Sequence, residues 1–177
     1  MDPFDRFLRR PLDQMLVAQG VTTRERMDEL VTSARETNEL LGVVVLESGA
    51  LTPWDFAKTI ASQYQLPVQS LSGYRFDKEL VASVPSEVLH RHQMMPLGIF
   101  GRTRTFAIME PPTRDLLDEL QGHFGASLFF FVSQGPEIAR ALREHVKMVD
   151  ADRDTSWQRL FDSAEEEVSK GLGPKPR

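Results

Sequence analysis

Apolar positions in the first third of the chain fall in short stripes spaced three and four residues apart, and the stripes repeat. Leu12, Leu16 and Val17 form one stripe that stops at Gly20; Leu41, Val45 and Leu46 form another that stops at Gly49. The same offset of 29 residues, the separation of Gly20 and Gly49, pairs Thr23 with Thr52, Met27 with Phe56 and Val31 with Ile60. Chemistry is kept at each pair, as expected of a duplicated supersecondary unit whose copies bury their apolar faces together. Each copy, over 11–34 and 40–63, predicts a short helix, a glycine in the left-handed region and a second helix. Thr52-Pro53 opens the second helix of its copy, with threonine as cap and proline at the first helical position. Two helical hairpins packed face to face follow.

After Gln65-Leu66-Pro67 the pattern changes. Residues 68–71 predict a short strand, and 78–84 and 85–92 two short helices. Residues 95–100 and 105–109 predict strands flanking the hairpin signal Gly101-Arg102-Thr103-Arg104. Thr113 can cap a helix with Leu116, Leu117, Leu120 and Phe124 on its apolar face, closed by Gly125. The run Leu128-Phe129-Phe130-Phe131-Val132 is continuous rather than alternating. That suits a strand covered on both faces, or one face plus a subunit contact. A last helix is predicted over 137–146. The fold class is therefore α+β: a helical part (1–65), a small β-α-α-β-β-α-β-α part (66–147) and a tail (148–177). In the tail, Trp157, Leu160, Phe161, Ala164 and Val168 have the spacing of an amphipathic helix, and residues 171–177 have the composition of a disordered end.

Composition narrows the chemistry. The 177 residues include no cysteine, which removes disulfides, thiolate metal sites and cysteine nucleophiles. A net charge of −5 argues against a polyanion grip and a nucleic-acid role, although Arg6, Arg9 and Arg10 cluster near the start as one solvated face. No apolar run approaches the roughly 20 residues of a membrane span, so direct membrane insertion is not expected. The start MDPFDRFLRR lacks the apolar core of a signal peptide. His90 and His92 face different directions at helical spacing and predict no metal site, and no GxSxG or GxxxxGK[ST] sequence occurs. No enzyme activity, cofactor or metal is expected.

The repeat, its linker and the α+β order resemble the N-terminal domain of type II secretion and type IV pilus assembly ATPases, the GspE N-terminal or MshEN-type domain. The likeness runs over roughly 10–147. That family carries two copies of RLGxxLVxxGxIxxxxLxxALxxQ. Here one copy reads Pro11-Leu12-Asp13, Leu16-Val17, Gly20, Thr22, Met27, Val31 and Ala34. The other reads Leu40-Leu41-Gly42, Val45-Leu46, Gly49, Leu51, Phe56, Ile60 and Gln63. "ASQYQLPVQSL" resembles the family's passage into its first strand, and "VPSEVLHRHQMMPLGIFGRTRTFAIMEPPTRDLLDELQ" its helix, hairpin and helix.

The resemblance implies a cytoplasmic module that docks on a secretion or pilus ATPase or on an inner-membrane platform component, meeting the membrane only through that partner. Some members bind cyclic di-GMP across the two copies. If that site were kept, its residues would be Arg10, Leu12, Gly20, Leu41, Gly42, Gly49 and Gln63. The arginines at the motif heads are replaced by Pro11 and Leu40, and the first glycine by Asp13. Two lost charged contacts at about 1.5–3 kcal/mol each weaken binding by roughly two to four powers of ten. The expected reading is a repeat that keeps its packing positions and loses its ligand positions. Trp157, Leu160 and Phe161 are the expected partner contacts; insertion into a partner's groove and self-packing into a homo-oligomer are both open to them. A standalone relative and a fragment ending before the motor both fit, and the tail helix inclines the reading to the former.

Overall fold

The computed structural model describes residues 4–147. The repeat emerges as expected. Helices α2 (Leu12–Ala18) and α4 (Leu41–Glu47) each have seven residues, and α3 (Arg24–Thr37) and α5 (Pro53–Tyr64) follow them. Gly20 and Gly49, at φ +71° and +73°, let the chain leave α2 and α4 in a left-handed turn that a side chain would strain. Thr23 caps α3 by accepting from Arg26 N (3.3 Å), and Thr52 caps α5 by accepting from Asp55 N (3.1 Å). Met27, Leu30 and Ala34 of α3 and Phe56, Ala57 and Ile60 of α5 are buried, so both units deliver their stripes to the interior.

A short helix, α1 (Asp5–Leu8), precedes the repeat where the sequence predicts a solvated basic helix face; four residues carry too little periodicity to announce an apolar side. Its Phe7 and the neighbouring Phe4 are nevertheless buried.

Beyond α5 come α6 (Lys78–Ala82), α7 (Ser86–His92), β1 (Met94–Phe100), β2 (Thr103–Ile108), α8 (Arg114–Phe124), β3 (Ser127–Val132) and α9 (Gly135–His145). The sheet order is β1-β2-β3, antiparallel in the first pair and parallel in the second. Gly101 and Arg102 form the two-residue turn between β1 and β2. Of these two only Gly101 has positive φ (+61°), as a II′-type turn requires. Thr113 caps α8 by accepting from Leu116 N (3.3 Å), and Gly125 (φ +53°) ends it.

Two expectations are corrected. Residues 68–71 do not make a strand: Val68 forms one isolated parallel bridge to Val132, with Gln69 N donating to Val132 O (2.8 Å). The run 128–132 is not covered on both faces. It is the last strand of the sheet, and its burial alternates: Leu128, Phe130 and Val132 point inward while Phe129 is 39% exposed. Three consecutive phenylalanines hid that alternation.

Buried side chains from Phe4 to Val146 form one connected cluster. Phe130 sits inside it, with the rings of Phe4, Phe7 and Phe106 at 6.3, 6.2 and 6.1 Å. Among the described residues no helix is long and apolar enough to cross a membrane. The predicted tail helix, with Trp157, Leu160 and Phe161, lies outside the described residues.

Candidate functional site

Tyr64 ties down the first motif head, and Glu110 the second. The tyrosine closes α5, is buried, and its hydroxyl donates to the backbone carbonyl of Arg10 (2.7 Å). Burial pushes its pKa up to about 12, with the charges of Arg10, Asp13 and Glu110 all close enough to be felt. Arg10 and Asp13 flank the head of α2. Glu110 follows β2 and reaches the head of α4, where its Oε2 accepts from Gly42 N at 2.7 Å, across 68 residues of sequence. The α+β part thus grips the helical repeat at the glycine of the second motif copy.

Gly42 leaves no space for anything further. A Cβ there would stand 2.8 Å from Glu110 Oε2, 2.9 Å from Phe56 Cζ and 3.1 Å from Met109 Cε. Glu110 is packed on most sides by protein although part of its surface still meets solvent. Burial raises its pKa to about 7 from an ordinary 4.5, against the opposing pull of the Gly42 N–H. Asp13 is held 3.7 Å from Arg24 Nη1. A carboxyl thus fills the space at the second motif head, and an ion-paired carboxylate stands at the first.

The candidate ligand residues divide into two groups. Arg10, Leu12, Leu41 and Gly42 lie at the motif heads: Arg10 is exposed, Leu12 and Leu41 are half-buried against the core, and Gly42 is buried. Gln63 is half-buried beside Tyr64. Gly20 and Gly49 lie at the far ends of α2 and α4, about 10 Å along each helix, exposed and with open space for at least 4 Å around the point where a Cβ would stand. Sequence reasoning missed Tyr64 and Glu110. Tyr64 carried a signal, since it lies four residues beyond the buried Ile60 on the same helix. Glu110 carried none beyond being an acid next to Pro111-Pro112, because nothing local ties it to residue 42.

Gly42→Ala is expected to destabilise the fold by about 1–2 kcal/mol. Crowding the fully buried Phe56 ring costs about 1–3 kcal/mol, and the better helix propensity of alanine returns at most about 1. Urea unfolding of the variant checks this; an unchanged or higher midpoint means that the junction is looser than described.

Among the described residues no group of three or more His, Cys, Asp or Glu side chains is placed to hold a metal ion. His90 and His92 sit on α7, and burial lowers the pKa of both; Nε2 of His92 lies 3.7 Å from Glu119. Arg91 makes the stronger bond there, a forked pair to Glu119 at 2.8 and 2.9 Å.

A doubled helical unit clasped by a carboxylate to a three-stranded sheet defines a small mixed α/β domain with a junction, rather than a cleft, at its motif heads. The chain belongs to the MshEN domain family, whose model matches residues 64–152. The matched stretch begins at Tyr64, downstream of both repeat copies. A structure of MshE with cdg has a similar fold, with 20% identity, a TM-score of 0.58, and 77% of this chain and 99% of that one covered. The N-terminal domain of XpsE is also similar, at 17% identity and TM-score 0.56, with 81% and 95% covered. Both likenesses reach into the helical repeat. The type IV pilus assembly ATPase PilB of Myxococcus xanthus (strain DK1622) is 19% identical over 134 residues, which is 76% of this chain and 24% of PilB. The chain thus spans about a quarter of that relative.

Proposed function

We propose that this domain is a non-enzymatic docking module of secretion or pilus machinery, contacting a motor ATPase or an inner-membrane platform component. One observation carries the reading: the backbone N–H of Gly42, the surviving motif glycine beside its copy's head, is already bonded to the chain's own Glu110. A phosphate approaching that N–H would have to displace a packed carboxyl, and no motif-head arginine is there to help it. The relatives supply the context, since they are PilB, MshE and the XpsE N-terminal domain. ATP hydrolysis is not assigned to this chain, which contains no GxxxxGK[ST] sequence. A cytoplasmic location, with the membrane reached through the partner, goes with this reading.

A second reading rests on MshE, solved with cdg and sharing the fold. It makes this chain a receptor for cyclic di-GMP, with Arg10 reaching across from beside the first motif head. Isothermal titration of the full chain with cyclic di-GMP separates the two. The docking reading expects no saturable heat at low-micromolar ligand, together with co-purification of the platform protein or motor ATPase encoded by the same genome. Saturable low-micromolar binding overturns it in favour of the receptor.

A further inference from the structure

One face of the sheet is only partly covered. α9 packs over β1 and β2, where Met95 and Ala107 are fully buried. On that same face, by register, β3 carries Phe129 and the half-buried Phe131, whose ring centroids lie 5.2 Å apart. The register extends the strip to the hairpin. Gly98 pairs with Thr105, which pairs with Phe129. Phe100, 72% exposed, folds its ring over Gly98 with Cε2 3.5 Å from the position of a Cβ. Phe100, Phe129 and Phe131 therefore form an aromatic strip beside α9, with the exposed Arg102 at its hairpin end. Contiguous apolar surface of this kind usually has an occupant.

We propose that the occupant is the chain's own segment 157–168, seated through Trp157, Leu160, Phe161 and Ala164. Three features favour it over another molecule. The stripe from 157 to 168 spans about 17 Å as a helix, close to the roughly 20 Å of the six-residue β3. Lys147, the last described residue, bonds through its backbone to His90 of α7, and Trp157 follows it by ten positions, a length of chain that can reach about 33 Å and so span to the strip. The acidic run Glu165-Glu166-Glu167 borders the stripe and complements the Arg102 rim.

The chain has two tryptophans, Trp54 and Trp157, so Trp54→Phe leaves Trp157 as the only reporter in the full-length protein. Its emission is expected to be blue-shifted and protected from acrylamide, independently of protein concentration. Phe129→Ser and Phe100→Ser are expected to abolish that protection while far-UV circular dichroism stays unchanged. Should Phe129→Ser unfold the chain, Phe100→Ser at the exposed hairpin decides alone. A solvent-exposed Trp157 in the parent overturns the proposal, as does protection that survives both serine variants. Protection lost on dilution also overturns it, assigning the strip to a second copy.

Discussion

Phe130→Ala is expected to cost about 3–5 kcal/mol and to shift the urea midpoint without changing the two-state form of the transition. Phe130 is 1% exposed and is the residue on which three separate parts of the chain meet. β2 reaches it through Phe106, and the N-terminal segment through Phe4 and Phe7. α1 has only four residues and no side-chain cap, so these ring contacts, together with Phe7 against Tyr64 at 6.0 Å, are what hold it in place. Truncating Phe130 leaves a cavity and also loosens α1, a loss that proteolysis within residues 1–10 would report. Phe129→Ala, one position along the same strand, is expected to cost clearly less than Phe130→Ala, because that ring is 39% exposed in the described fold and its truncation leaves no core cavity. Equal losses at the two positions would mean that the Phe129 ring is packed in the core as Phe130 is.

The contrast between those neighbours marks where sequence reading stops. Helices announce themselves locally: the apolar spacing, the threonine caps at 23, 52 and 113, and the left-handed glycines at 20, 49 and 125 are each decided within a few residues. The 29-residue offset strengthens the reading, since two copies have to tell the same story. A strand with phenylalanine at three successive positions gives no such period, and its place at the sheet end depends on elements far away in sequence. Residues 68–71 fail for the related reason that bridging to Val132 takes only one pair. The candidate site is half legible. Loss of the motif-head arginines can be read directly at Pro11 and Leu40, whereas the group that fills the space cannot. Glu110 reaches Gly42 only because β2 ends beside α4, which is a property of the assembled fold.

That carboxyl should make stability depend on pH in a recognisable way. Its folded pKa of about 7 lies above the ordinary 4.5, so between those values the folded chain holds a proton that the unfolded chain has released. Stability therefore falls as pH rises from about 4.5 to about 7, and the loss persists at higher pH. The full shift corresponds to about 3 kcal/mol; partial solvent contact reduces the expected effect to about 1–3 kcal/mol. Glu110→Gln keeps an oxygen to accept from Gly42 N–H but cannot ionise. The variant should match the parent at pH 5 and exceed it by about 1–3 kcal/mol at pH 8, measured by urea unfolding. Burial lowers the pKa of His90 and His92, so their contribution has the opposite sign and rises with pH. They contribute equally to parent and variant, so the difference between the two curves isolates Glu110. Parallel curves from pH 5 to pH 8 would mean that the carboxyl is solvated rather than clamped on Gly42. The Gly42 N–H would then be free to meet a phosphate, and the docking reading would lose the contact it rests on.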